Sequence, residues 1–302
     1  MSAPRAWLRQ PAATLVSGGV VAATVLLAII GPALAPFNPE RPTPRVLLPP
    51  SPAHIFGTDA SGIDVFSVTL AAFRVDVVIA LVSVGISLAA GVMLGAVAGY
   101  GFNGSRAAAW GSAIILRLLD LVQSIPVFIL ALALVGMFGQ TVRNVVIAVA
   151  FVNLPVFARL TRAAVRSVEH REFVAASRAL GVREAGILGS HVLPNSLDGT
   201  IAYASIAVGG AILLTAGLSF LGAGVRPPTP EWGAEIASGA GYIVTGQWWI
   251  SVLPGLVLSG VVFSFALLGD AARAALERAG RHAVLPGEQP LTVPAGDERA
   301  PA

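Results

Sequence analysis

Long apolar stretches separated by short polar ones run along the whole chain. No charged residue lies between Arg9 and Glu40, and the stretch Leu15–Phe37 is long enough for a helix to cross about 30 Å of hydrocarbon. A second charge-free run lies between Asp76 and Arg106 and predicts a span near Val77–Tyr100. The third stretch, Ser112–Phe138, is less clean, because Arg117 and Asp120 sit near its start. The fourth covers about Asn144–Leu160, the fifth Thr200–Gly222 and the sixth Trp249–Leu268. A barrel would show alternating apolar and polar positions, and that pattern is absent. In lipid the backbone must satisfy its own hydrogen bonds, so these stretches read as helices. The prediction is an all-α polytopic membrane protein with six transmembrane helices.

Composition supports this reading. Of 302 residues, 55% are apolar and only 12% charged, with a mean hydropathy of +0.79, too little polar surface for a water-soluble fold. Leu15–Leu34 resembles the apolar part of a signal peptide, with cleavage after Ala33 or Ala35 as the alternative. Its length and the spans that follow favour an uncleaved first span. The absence of Cys excludes disulfides, thiol catalysis and thiolate metal sites. His54, His170, His191 and His282 are scattered, so no metal site is expected. No glycine-rich phosphate loop is present, nor any Lys to complete one, so ATP hydrolysis by this chain is not expected.

All 19 basic residues are Arg, and they fall between the apolar runs. With a cytoplasmic N-terminus, the inside receives fourteen: Arg5, Arg9, Arg106, Arg117, Arg159, Arg162, Arg166, Arg171, Arg178, Arg183, Arg273, Arg278, Arg281 and Arg299. The outside receives five: Arg41, Arg45, Arg74, Arg143 and Arg226. The excess of inside charge predicts that both termini are cytoplasmic. No basic tract lies beside exposed aromatics, so the net charge of +3 points to lipid headgroups rather than nucleic acid. The organisation expected is a cytoplasmic segment 1–14, a six-helix domain 15–272 and a cytoplasmic tail 273–302, disordered at its end. Within the domain, 38–76 and 225–247 are extracytoplasmic, 38–76 mostly irregular, and 161–198 is cytoplasmic. Trp248-Trp249 is expected as an interfacial aromatic anchor.

The connection 161–198 is too polar to span. Arg159, Arg162 and Arg166 share one face of a helix continuing the fourth span. Glu169–Leu180 keeps helical character with small residues, and Gly181 ends or bends it. A second short helix, Arg183–His191, stops before Pro194. A short surface helix of this kind suits a groove in another protein; an ordinary surface loop is the alternative.

Arg171-Glu172-Phe173-Val174-Ala175-Ala176-Ser177-Arg178-Ala179-Leu180-Gly181, followed by His191-Val192-Leu193-Pro194-Asn195, resembles the signature loop of binding-protein-dependent ABC transporter permeases. Gly181 matches the family's glycine and Leu193-Pro194 its terminal pair. Ala175 stands at the usual acidic position and Ser177 replaces the second alanine, with Glu172 one turn earlier. Phe56-Gly57-Thr58-Asp59 with Gly62, Asp64 and Val65 is similar to the entry segment of the dipeptide/oligopeptide/nickel branch. So are Arg117-Leu118-Leu119-Asp120 with Ile125-Pro126, Leu218–Gly222, and Pro227-Pro228-Thr229-Pro230-Glu231-Trp232-Gly233. The resemblance covers nearly the whole chain and is to the second, shorter permease of that branch. It implies a type I ABC importer permease fold in a bacterial inner membrane and a heterodimer with a homologous permease. It also implies two cytoplasmic subunits that bind ATP and Mg, and an extracytoplasmic solute-binding protein. The transported solute would be a peptide or similar small molecule. Glu172, Ala175, Ala176, Ser177, Gly181, Leu193 and Pro194 would couple to the ATPases.

Other candidates concern packing or the pore. Arg117 and Asp120, three apart, can face one another, either as a pore-side contact or as an interfacial pair orienting the third span. Gly91, Gly95 and Gly99 have the small-xxx-small spacing of close helix packing, against a neighbour in this chain or its partner. Pro126 and Pro254 are expected to kink their spans, as hinge or as fixed shape. Two other classes stay open at this level: an ion-gradient-driven secondary transporter, and a non-transporting membrane scaffold.

Overall fold

The computed structural model describes residues 11–102 and 106–282, with side chains over 15–102 and 106–276. Arg5, Arg9, Arg299 and the end of the expected tail lie outside the described residues, as do the side chains of Arg278, Arg281 and His282. Among the described residues the regular structure of the chain is helical, and its segment between the first two helices is irregular apart from a bridge between Thr58 and Asp64. Its helices are α1 (Pro11–Leu34), α2 (Val65–Gly99), α3 (Arg106–Ser124), α4 (Val127–Phe138), α5 (Val142–Glu169), α6 (Glu172–Ala179), α7 (Glu184–Ile187), α8 (Asp198–Phe220), α9 (Trp232–Ala240) and α10 (Trp249–His282).

Five helices are each long and apolar enough to cross a membrane: α1, α2, α5, α8 and α10. The third expected span is not one straight helix. It is the pair α3–α4, bent by 88° at Ile125-Pro126. Pro126 has no N–H to continue the ladder and pushes Ile125 out of helical geometry, so the chain turns and restarts at Val127. Pro254, by contrast, lies within α10, which runs unbroken past it and on through the first ten residues of the expected tail. A proline therefore marks a break in one span and not in the other.

The second span also begins earlier than its hydropathy suggests. α2 starts at Val65, inside the segment 38–76 expected to be mostly irregular, and runs for 35 residues, about 52 Å of helix. That exceeds the hydrocarbon thickness, so α2 projects beyond it. Asp64 makes this start: its Oδ2 accepts the Ser67 amide (2.8 Å) and hydroxyl (2.7 Å), satisfying donors that a helix N-terminus leaves free. His54 Nδ1 holds the other carboxylate oxygen at 2.8 Å, and its ring stacks on Phe37.

The main core lies where α2, α4, α5, α8 and α10 meet, around Ile79, Val135, Val149, Phe157, Ile212, Leu218 and Phe265. The α2–α5 seam is built on glycine. A Cβ on Gly91 would lie 2.5 Å from Phe157 Cβ, one on Gly95 2.4 Å from the Ala158 carbonyl, and one on Gly99 2.9 Å from the Arg162 carbonyl. These glycines thus face α5 of their own chain, and the spacing read from sequence is an internal helix contact. Large apolar side chains on α1, α3 and α4, among them Ile29, Trp110, Leu121 and Met137, point outward, as a lipid-facing surface requires.

At one end of the bundle the segment after α1 meets the turn before α10. Trp249, expected as an interfacial anchor, is buried with Val65 and Ile250, its Nε1 donating to the Thr58 carbonyl at 3.3 Å. Trp248 remains half exposed. At the opposite end sits the connection between α5 and α8.

Candidate functional site

The connection between α5 and α8 is a compact knot. α5 ends at Glu169; His170 and extended Arg171 turn the chain, and α6 follows for eight residues. Its C-terminus is closed by a Schellman motif: the Val182 amide bonds the Ser177 carbonyl (3.2 Å) and the Gly181 amide the Arg178 carbonyl (3.0 Å). Gly181 sits at φ +76°, the left-handed geometry that favours glycine there. α7 then runs into a π turn, Leu188–Val192, where the Leu193 amide reaches back to Leu188 (2.8 Å). Pro194, lacking an N–H, opens the 3-10 turn that leads into α8.

One face of this knot is buried and the other is open. Val174, Ile187 and Val192 are fully buried against Ala96 and Tyr100 at the end of α2 and Val165 and Val168 of α5. Glu172, Ala175, Ala176, Gly181 and Pro194 are exposed, while Ser177 and Leu193 are half-buried. Phe173, Leu180 and Val182 add exposed apolar surface around the same helix, Leu180 being 84% open. The structure thus places Glu172, Ala175, Ala176 and Ser177 on α6, Gly181 in the turn that closes it, and Leu193-Pro194 at the turns after α7, with Ala175 and Ala176 outward.

Sequence reasoning missed the residues that hold this element in place. Arg178 Nη2 donates to Glu169 at the end of α5 (3.1 Å), and its Nε donates to Glu184 of α7 (3.1 Å). The guanidinium lies over the Tyr100 ring, 5.6 Å from its centre, with Nη2 3.4 Å from the hydroxyl. Tyr100 donates a short hydrogen bond to Glu184, and the Gly101 amide lies 3.0 and 3.1 Å from the two Glu169 oxygens. Burial, then the Glu184 carboxylate beside it, pushes the Tyr100 hydroxyl up to about 12, with Arg178 acting against both. The Tyr100 hydrogen bond, followed by Arg178, holds Glu184 below the usual carboxylate range. Burial disfavours the Arg178 charge, but hydrogen bonds to Glu184, Tyr100 and Glu169 outweigh it, so the guanidinium stays protonated. These partners are 6, 9 and 78 residues from Arg178, and no periodicity links them.

Arg117 and Asp120 do not pair. Asp120 Oδ1 receives Arg159 Nη2 of α5 at 2.6 Å, while Arg117 is exposed and makes no ion pair among the described residues. Asp120 lies where α3 packs beside α5, within reach of Arg159.

At the other end, α9 is pinned to α2 by Trp232. Its amide donates to Asp76 Oδ2 (3.0 Å), its Nε1 to the Thr69 carbonyl (3.1 Å), and its ring meets Phe73 edge-on. Three buried carboxylates gather here: Asp76, Glu231 and Glu235. Glu231 caps α9 through the Gly233 and Ala234 amides, and Thr69 donates to Glu235. Burial pushes the Glu235 carboxyl well up, opposed by the Thr69 bond and reinforced by the charges of Asp59, Glu231 and Asp64. Among the described residues no group of three or more His, Asp or Glu is arranged to hold a metal ion.

A bundle of membrane-length helices carrying a short exposed helix at one end is the fold of a polytopic membrane protein. The chain belongs to the family of binding-protein-dependent transport system inner membrane components, whose model matches residues 91–282. It is 40% identical over 260 residues to the di/tripeptide transport system permease protein DppC of Pseudomonas aeruginosa, covering 84% of each chain. It is 36% identical to the probable D,D-dipeptide transport system permease protein DdpC of Escherichia coli, covering 87% of each. A chain of the MetNI methionine ABC transporter, solved in inward-facing conformations, shares the fold with a TM-score of 0.57 at 20% identity. That match covers 68% of this chain and 95% of the other. The resemblance to the second permease of the dipeptide/oligopeptide/nickel branch holds. The protein is a permease subunit contributing to the translocation pathway of an ABC-type importer, and in this family ATP hydrolysis belongs to separate subunits.

Proposed function

We propose that this chain forms half of a peptide-conducting pore and couples it to ATP hydrolysis through the connection 169–195. The observation that carries the reading is α6: a short helix with small residues outward and an exposed apolar rim, clamped onto the ends of α2 and α5. A coupler must be rigid where it joins the spanning helices and free where it meets its partner, and α6 has both properties. Its exposed face suits a groove in an ATPase subunit, with a homologous permease completing the pore and an extracytoplasmic solute-binding protein at the far end. ATP and Mg bind in the ATPase subunits.

Taken as a sixth crossing, the bent pair α3–α4 sets both termini on one side of the membrane, and the excess of Arg expected inside favours the cytoplasmic side. Arg162, Arg166, Arg171, Arg178 and Arg183 all belong to the α6 end of the bundle, the end where an inside excess of positive charge belongs. Peptides as solute follow from the di/tripeptide and dipeptide systems of the relatives.

The test uses the full complex of both permeases, both ATPases and the binding protein in proteoliposomes. Wild-type complex is expected to take up peptide only with ATP. Deletion of 172–181, or Glu172→Arg with Ala176→Glu, abolishes transport-coupled hydrolysis while the separate ATPase subunits still bind ATP. Uptake without ATP would overturn the reading in favour of a secondary carrier, and coupling that survives loss of the helix would remove α6 from the mechanism.

A further inference from the structure

The backbone joins α6 to α5 through His170-Arg171 and to α8 through α7, so chain connectivity alone sends any displacement of α6 into those two spanning helices. It provides no route to α2. The only side chain of α6 buried in the bundle is Val174. A single apolar contact is a pivot, and a helix held by one pivot can turn under a sideways load without moving what lies beneath.

We infer that Arg178 is the positioning residue that removes this freedom and makes α2 part of the moving unit, an inference resting on the coupling function proposed above. Its guanidinium joins four segments at once: its own helix α6, the end of α5 through Glu169, α7 through Glu184, and the end of α2 through Tyr100. The two carboxylates are tied to α2 as well, Glu169 by the Gly101 amide and Glu184 by the Tyr100 hydroxyl. Above the knot, Gly91, Gly95 and Gly99 bring α2 and α5 to backbone contact, so the two helices respond together once their ends are clamped. A planar guanidinium can serve two carboxylates and a ring face simultaneously; a lysine ammonium cannot hold that geometry.

The chemistry also sets what substitution does. Two carboxylates share one cation, so removing Arg178 leaves Glu169 and Glu184 uncompensated beside each other. Arg178→Lys keeps the charge and loses the fork. Glu169→Gln with Arg178→Gln keeps the net charge of the site at its wild-type value, Glu184 remaining as a carboxylate, while breaking the clamp.

In reconstituted full complex, the readouts are assembly by size exclusion, basal ATPase, binding-protein-stimulated ATPase, and peptide uptake per ATP hydrolysed. Arg178→Lys is expected to assemble, to keep basal ATPase and its KM for ATP, and to lower uptake per ATP about tenfold, the scale of one charge-assisted hydrogen bond. The charge-matched double variant assembles and is equally uncoupled. If the double variant restores wild-type uptake per ATP, Arg178 serves only to neutralise charge and the inference falls. Should Arg178→Lys not assemble, Tyr100→Phe decides: it leaves the guanidinium in place, and unchanged uptake per ATP in that variant also overturns the inference. Failure of the wild-type complex to couple would instead refute the proposed function.

Discussion

Asp120 of α3 receives Arg159 of α5 at 2.6 Å, although Arg117 stands only three residues away on its own helix. Both side chains remain about half exposed, so the pair orients the α3 half of the bent span against α5 more than it stabilises the fold. A double-mutant cycle with Asp120→Asn and Arg159→Gln should give a coupling of no more than about 1 kcal/mol in thermal unfolding of detergent-solubilised protein. Asp120→Asn with Arg117→Gln should give none. A measurable Arg117–Asp120 coupling would restore the intrahelical pair suggested by spacing.

The glycine seam makes a sharper forecast. Gly95→Ala places a methyl 2.4 Å from the Ala158 carbonyl, a backbone atom that cannot rotate away. The helices must separate, at a cost of about 1–3 kcal/mol, and folded yield and melting temperature should fall together. Gly85→Ala, on the same helix with nothing within 4 Å, is the control and should be neutral or slightly stabilising. Equal behaviour of the two variants would contradict the α2–α5 packing.

Glu235 connects stability to pH. Burial raises its carboxyl well above the ordinary glutamate value of 4.5, so the folded protein keeps this proton after the unfolded chain has released it. Stability therefore falls as pH rises from the unfolded value toward the folded one. Gln at this position keeps an oxygen for the Thr69 hydroxyl and has nothing to titrate. Glu235→Gln should melt higher than wild type at pH 8, with the difference shrinking toward pH 4.5. A pH-independent difference would mean that Glu235 is ionised in the folded state.

Gly181 tests the end of α6. Its φ of +76° is costly for any residue with a Cβ, although a methyl there would touch nothing. Gly181→Ala should loosen the Schellman turn by about 1 kcal/mol, and Gly181→Asn by less. Amide hydrogen exchange over 172–182 should rise in that order while the spanning helices keep their protection.

Membrane class, the five clean spans and the place of the signature loop were all legible in the chain, because each rests on neighbours in sequence. An uninterrupted apolar run is its own argument for a spanning helix, and Gly181 and Pro194 act on the residues beside them. The third span was only half legible: Arg117, Asp120 and Pro126 signalled irregularity, but an 88° bend depends on how α3 and α4 pack. The early start of α2 was hidden as well, because Asp64 works through a cap and a buried contact with His54 rather than through hydropathy.

What the sequence determined by itself was therefore the class of protein, the apolar segments long enough to cross, and the short helix in the connection between α5 and α8. Only the tertiary structure decided who holds whom: Arg159 for Asp120, α5 for the glycines of α2, Val65 and Ile250 around Trp249, and Arg178 between Glu169, Glu184 and Tyr100. Hydropathy and turn chemistry are local properties that survive in a linear reading. The choice of an ion-pair partner is set by distances between segments far apart in the chain, and those distances exist only once the helices have packed.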